Sequence, residues 1–436
     1  MNQFYSKNNH SLNGILEVPG DKSISQRALI LGAMTIGTTK IKGISYSEDV
    51  NNLIKNLKLL GVKIIKKKNE LNIIGVGIGG FDYSKKSLYM GNSGTATRLM
   101  LGALCNQNFE TKITGDKSLS KRNMLNLINQ LKKMGAQIKS NNNKLPISIK
   151  GISESMPIIY NQKIPSAQIK SAVLLASLNT PGITTIKENL ETRNHTEILL
   201  KMLGANIKIK KNKNNNEITI IGQKELKAKN ILISGDPSSA AIIGAAALII
   251  PKSKIKIKNV NINNTRISFF NILKKMNANI TISNKKIISN EKVADITFKS
   301  SNLKGIHLTS KNVATMIDEI PIFSILASFS NGISSFTGGN QLKNKESNRI
   351  KSLYEGLKAL NIKVFKKNDG LKIIGNKLIK DNKNIKIKSY YDHRIAMSFL
   401  IMSLAYKKKI IIDNIECINT SFPNFFKSIK KLGAKI

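Results

Sequence analysis

One pattern of apolar and polar positions recurs six times along the chain. Apolar residues fall at helical spacing, a small or turn-forming residue follows, and a short Ile/Val stretch comes next. The copies are LIKNLKLLGVKI (53–64), LINQLKKMGAQI (127–138), ILLKMLGANIKI (198–209), FNILKKMNANITI (270–282), LYEGLKALNIKV (353–364) and FFKSIKKLGAKI (425–436). Gly61, Gly135, Gly204, Asn277, Asn361 and Gly433 occupy the turns, and both residue types tolerate left-handed backbone. Each copy therefore predicts a helix, a C-terminal cap and a strand. Successive turns lie 74, 69, 73, 84 and 72 residues apart. That period is long for a solenoid and suits a small α/β unit holding two helices and several strands. Six such units, in 436 residues, predict two domains of three units, of about 200 residues each.

A second echo supports the repeat. GDKS at 20–23, GDKS at 115–118 and GDPS at 235–238 each precede an apolar stretch, and each predicts the opening of a helix. The free N–H groups and positive end of a helix start bind anions, and Lys22, Ser23 and Arg27 add charge-assisted donors to the first. GDKSLSKR repeats the Lys-to-Arg spacing and ends in Arg122. In MGNSGTATRLM (90–100), Asn92, Ser93 and Gly94 make a small polar turn before a helix carrying Arg98, and Gly94 lets backbone approach a ligand. PSAQIKSAVLLASL (165–178) puts Ser166, Ala167 and Gln168 at another helix start, and Thr192, Arg193 and His195 follow. Capping accounts for Ser166 but less readily for Gln168. Further on, MIDEIP presents Asp318 and Glu319, NKESNR presents Lys345, Glu346 and Arg349, and YDHR presents Asp392, His393 and Arg394. Acids beside Lys and Arg are candidate bases; a salt-bridge network explains each motif singly but the three together less well.

Composition changes the picture in three ways. The net charge of +44 invites a nucleic-acid partner, which would bind with strong salt dependence. The excess, however, is nearly all Lys, accompanied by Ile and Asn and spread along the chain, as an AT-rich genome would produce. Stretches such as Lys66–Lys68 and Lys210–Asn216 then read as solvated loops or strand ends. Against this background only seven Arg occur, namely Arg27, Arg98, Arg122, Arg193, Arg266, Arg349 and Arg394. Their planar fork binds carboxylate and phosphate as Lys cannot, so they mark candidate anion contacts, with Arg266 the candidate for a structural ion pair. Cys105 and Cys417 are the only cysteines, which predicts no disulfide framework, no thiolate metal site and a reducing, cytoplasmic setting. No leader and no apolar run of membrane-spanning length is read at the sequence level, and no HExxH, GxSxG or Walker motif occurs.

Taken in order, GDKSISQR, GNSGTATR, SAQIKSA, MIDEIP, NKESNR and DHRIAM resemble the motifs of the enolpyruvyl transferases that act on shikimate 3-phosphate. The resemblance runs from Gly20 to Pro423. It implies an α/β fold of two similar domains, each of three βαβαββ repeats with helices inside three sheets, an inside-out α/β barrel. It implies a discontinuous domain, 1–20 plus 235–436, an inserted domain, 21–234, and an active site in the cleft between them that closes on its substrates. Carried over by motif, Lys22, Ser23, Arg27, Ser166, Ala167, Gln168, Arg193, Asp318 and Lys345 would hold shikimate 3-phosphate. Lys22, Asn92, Gly94, Arg122, Gln168, Arg349 and Arg394 would meet phosphoenolpyruvate.

The chemistry implied is addition then elimination, with Asp318, Glu346 and Lys22 as the proton-transfer candidates and with no metal or organic cofactor. The partners expected are the two small anions, with no nucleic acid and no membrane, acting on a monomer; the inhibitor glyphosate would find room beside Gly94. Two positions depart from the family pattern. Thr420 stands where some members carry Lys before the [ST]FP motif, and Ala167 stands where some carry a second Ser. The alternatives are the related transferase acting on UDP-N-acetylglucosamine, whose loop cysteine has no counterpart here, and a basic nucleic-acid-binding protein.

Overall fold

The computed structural model describes residues 11–212, 215–375, 385–406 and 410–435. Residues 213–214 of the lysine- and asparagine-rich stretch, residues 1–10 of the expected N-terminal domain segment and Ile436 of the sixth repeat lie outside them. The chain divides into two units: the first joins Met1–Pro19, Ser234–Ile287 and Lys292–Ile436, and the second comprises Gly20–Ile233 with Ile288–Glu291. Against the expected division at 20/21 and 234/235, Gly20 and Ser234 change sides. The hairpin turn Ile288–Glu291 groups with the second unit, because Glu291 pairs with His195 and Ser289 accepts a hydrogen bond from Leu232 N–H.

Within the second unit the three repeats build three sheets of one plan. Leu88–Tyr89 runs parallel to Glu110–Thr114, which is antiparallel to Lys144–Lys150, itself antiparallel to Gln137–Asn141. Ile159–Gln162, Ile183–Glu188, Asn216–Ile221 and Asn206–Lys211 repeat that order. In the third sheet the short strands Leu226–Lys227 and Asn230–Leu232 both run parallel to Thr35–Lys42, ahead of Glu70–Val76 and Lys63–Lys67. The first unit follows suit. Asn13–Glu17 leads Lys254–Asn261 and its partners, and His307–Leu308 leads Gly332–Phe336, Gly370–Gly375 and Lys363–Lys367. The third sheet has two strands among the described residues, Ile385–Ile387 and Ile410–Ile412. Among the described residues the six sheets stay separate and none closes on itself.

The strands alternate because the sequence does: Lys144–Lys150 turns Leu145, Ile147 and Ile149 inward, while Lys150 faces solvent. Much of the positive charge thus lies on the outer faces of sheets. Inside each unit lie three helices that are apolar almost all round. They are Lys22–Ala33, Gly94–Ala103 and Ala167–Ala176 in the second unit, and Pro237–Ile249, Ile320–Ser328 and His393–Ala405 in the first. A helix apolar on every side belongs in a core; the first unit's three pack on one another, and in the second Gly94–Ala103 packs against both of the others.

The six repeat helices are amphipathic and end as expected, with all six turn residues at positive φ, from 56° at Asn361 to 104° at Gly135. Two expectations fail. After Gly433 the chain forms no strand over the described residues, so the sixth copy stops at its cap. The second GDKS opens only the 3-10 turn Leu119–Lys121, because the chain bends at Arg122, which has extended backbone.

Candidate active site

The polar residues singled out by motif gather at the starts of the buried helices, where free N–H groups would otherwise be unsatisfied. In the second unit Asp21 caps Lys22–Ala33 by accepting from Ile24 N–H at 2.9 Å. Lys22 Nζ then lies 2.9 Å from Asp49 Oδ2, a buried carboxylate that sequence reasoning missed. Its only signal was an acid in the first turn of the repeat helix Glu48–Leu59. Arg27 is 2% exposed and donates to Thr196 Oγ1 at 2.8 Å, Ser171 Oγ at 3.0 Å and the Ser23 carbonyl at 3.0 Å.

Ser93 caps the next helix, accepting from Ala96 N–H at 3.1 Å, and it also accepts from Gln26 Nε2 at 2.7 Å. Gly94 opens that helix with two guanidinium groups over it. A Cβ there would stand 2.8 Å from Arg98 Nη1 and 2.9 Å from Arg122 Nη1. Arg122 also donates to the Asn92 side-chain oxygen. Ser166 does cap Ala167–Ala176, by accepting from Ile169 N–H at 3.3 Å. Gln168 does not cap. Its carbonyl accepts from Arg98 at 2.8 Å and its amide donates to Thr95 at 2.9 Å. Arg98 therefore links the Gly94 and Gln168 helix starts. His195, which follows in the motif with Thr192 and Arg193, lies apart from these groups. It is fully buried, with Nδ1 2.6 Å from Glu291 Oε1, so it belongs to the interior and not to a ligand surface.

In the first unit Asp318 sits in the turn between helices Ser310–Thr315 and Ile320–Ser328. Arg349 gathers three acids: Asp392 at 2.9 Å, Glu346 at 2.7 Å and Asp318 at 3.4 Å, with Lys345 a further 3.7 Å from Asp318 Oδ1. Burial opposes the charge on Arg349, but Asp392, Glu346 and Asp318 outweigh it and hold the guanidinium above its ordinary value. At 1% exposure Arg349 here organises carboxylates and does not present its fork to solvent. Asp392, which caps His393–Ala405 through Arg394 N–H at 2.9 Å, anchors both arginines.

Thr420, in place of a lysine, donates to the Cys417 carbonyl at 2.7 Å and lies 3.3 Å from His393 Nδ1. Arg266 is the expected structural pair, buried against Asp236 at 3.4 Å and donating to Ser238 at 2.9 Å, while Ser238 bonds Glu319. Both cysteines are buried free thiols. Burial raises both, Cys105 to about 12, so neither supplies a thiolate nucleophile.

The second unit thus carries a cationic, donor-rich cluster at its helix starts, suited to phosphate and carboxylate, and the first carries acids paired with Arg349 and Lys345 and suited to proton transfer. The comparisons agree in kind. Residues 6–429 match the family model of EPSP synthase (3-phosphoshikimate 1-carboxyvinyltransferase). The 3-phosphoshikimate 1-carboxyvinyltransferase of Ruthia magnifica subsp. Calyptogena magnifica is 44% identical over 436 residues, 100% of this chain and 99% of its own. The solved EPSP synthase from Acinetobacter baumannii superposes with a TM-score of 0.86 at 37% identity, covering 100% of this chain and 99% of that one. The enolpyruvyl transferase NikO from Streptomyces tendae shares the fold at a TM-score of 0.80 and 14% identity, over 99% of this chain and 97% of its own. With the motifs in order and the similarity spanning the whole chain, this protein belongs to the EPSP synthase family.

Proposed function

We propose that the protein transfers the enolpyruvyl group of phosphoenolpyruvate to the 5-hydroxyl of shikimate 3-phosphate, releasing phosphate, on the route to chorismate and the aromatic amino acids. The observation that carries this reading is the pair of guanidinium groups, Arg98 and Arg122, over a helix start that has no Cβ. That arrangement suits a small, multiply charged anion. Arg122, Asn92, Gly94, Gln168 and Lys22 would take phosphoenolpyruvate, with Arg394 contributed by the first unit, while Arg349, whose fork is occupied by Asp392, Glu346 and Asp318, would act by holding those acids in place. Lys22, Ser23, Arg27, Ser166, Ala167, Gln168 and Arg193 would take shikimate 3-phosphate, with Asp318 and Lys345 from the first unit.

The steps need only proton transfer and anion stabilisation. Asp318 removes the proton of the 5-hydroxyl as its oxygen bonds to C2 of phosphoenolpyruvate, while Lys22 or Glu346 protonates the methylene carbon. The resulting ketal then loses a proton from its methyl group and expels phosphate, which leaves the enol ether. Asp49 would keep the Lys22 ammonium in place, at its 2.9 Å separation. No helix among the described residues is long and apolar enough to cross a membrane, and the two free thiols suit a reducing compartment.

The test is phosphate release from phosphoenolpyruvate with shikimate 3-phosphate present, omitted, or replaced by UDP-N-acetylglucosamine. Release with shikimate 3-phosphate alone, abolished by Asp318→Ala, is the expected result; a folded protein that stays silent overturns it.

A further inference from the structure

The SAQIKSA motif contains a residue that the reaction above does not use. Lys170 lies on the buried helix Ala167–Ala176, and its side chain is 0% exposed. An ammonium has three protons to donate, and three acceptors surround this one. Glu188, at the end of strand Ile183–Glu188, is 3.1 Å away, Glu197 is 2.7 Å away, and the Thr192 carbonyl is 3.4 Å away. Glu188 holds the same residue from its other side, accepting from the Thr192 hydroxyl at 2.9 Å and its N–H at 3.3 Å. Thr192 is thus fixed by its carbonyl, its amide and its side chain. The next residue is Arg193.

Beyond Arg193 the chain is held again. Glu197 and Thr196 belong to helix His195–Met202. Glu197 meets Lys170, and the Thr196 hydroxyl donates to Ser171 at 2.7 Å while accepting from Arg27 at 2.8 Å. The Arg193 segment is therefore bracketed on both sides by one turn of the helix whose first residues follow Ser166. Buried ion pairs seldom add stability over an apolar core of equal volume, but they do impose geometry.

We propose that Lys170 is a positioning residue, which sets the Arg193 segment against the Ser166–Gln168 helix start so that shikimate 3-phosphate meets both. The substrate in this statement rests on the transferase reading above. The test compares the parent with Lys170→Met, which removes the ammonium, and Thr192→Val, which removes one hydroxyl contact at a partly exposed site and keeps the fold. Steady-state kinetics should show KM for shikimate 3-phosphate rising roughly tenfold in Lys170→Met and less in Thr192→Val. KM for phosphoenolpyruvate and kcat should stay within about threefold, because uniform binding is what is lost. Amide exchange of the ligand-free proteins should quicken over 189–194 in both variants.

If Lys170→Met does not fold, Thr192→Val carries the same comparison. An unchanged KM for shikimate 3-phosphate in a folded variant, a fall in kcat alone, or unchanged exchange over 189–194 overturns the proposal. A parent that turns over neither acceptor removes the transferase reading instead, and the exchange measurement alone then decides whether Lys170 holds the Arg193 segment.

Discussion

Replacing Asp392 by Asn should test what holds the first unit's acidic cluster together. Asp392 is 0% exposed and accepts from Arg349 Nε at 2.9 Å, Arg349 Nη2 at 3.4 Å, Ser347 Oγ at 3.0 Å and Arg394 N–H at 2.9 Å. Asn is a good N-cap and keeps one acceptor for Arg394 N–H. Its amide must then face Arg349 Nε, donor to donor. Breaking a buried pair costs about 3–5 kcal/mol. Glu346 at 2.7 Å and Asp318 at 3.4 Å still neutralise Arg349, which puts the expectation near the lower end, about 3 kcal/mol. For a unit of about 200 residues that lowers Tm by roughly 6–12 °C. Calorimetry of the parent, Asp392→Asn, Arg349→Met and the double variant measures it. The cycle should return a coupling of about 2–3 kcal/mol. A Tm loss below about 2 °C, or additive single losses, would refute the view that Asp392 anchors Arg349.

Three further outcomes are expected. Gly204→Ala meets no atom within 4 Å at φ 89°, so it should cost only the left-handed backbone term of about 1–2 kcal/mol. Gly135→Ala, whose Cβ would lie 2.1 Å from Ile152 Cδ1, the far end of a flexible side chain, should cost about the same in urea unfolding; a clearly larger loss would show that the Ile152 side chain cannot yield. Gly94→Ala pushes Arg98 and Arg122 aside and should raise KM for phosphoenolpyruvate about tenfold or more, one charged hydrogen bond's worth, with a smaller change for shikimate 3-phosphate. Asp295 sits lower than an ordinary carboxyl: burial alone would raise it, but hydrogen bonds from Asn284, Lys256 and Asn259 N–H and the Lys256 charge prevail. Its contribution is therefore present above the unfolded value near pH 4 and lost as pH falls through the folded one. The stability gap between the parent and Asp295→Asn should accordingly be widest near neutrality and close in acid.

What could be read from the residues in order was what depends on local chemistry. Six helices ending at Gly or Asn were legible because the left-handed cap is a property of one residue, and all six appear. The cationic helix starts were legible for the same reason, since Asp21, Ser93 and Ser166 cap helices within three residues of themselves. The scarcity of Arg in a lysine-rich chain marked candidate anion contacts, and Arg266, set apart as a structural ion pair, is indeed locked among Asp236, Ser238 and Glu319.

Only tertiary structure could decide pairings between residues far apart in sequence. Asp49 against Lys22, Glu291 against His195, Lys170 between Glu188 and Glu197, and Arg98 on Gln168 all join different elements. No periodicity records which helix start will face which. The same limit explains the failed repeats: the second GDKS has the residues of its sister, yet the bend at Arg122 leaves room for one turn of helix. Propensity and pattern act over a few residues, whereas burial of a charge is settled by whatever the rest of the chain brings beside it.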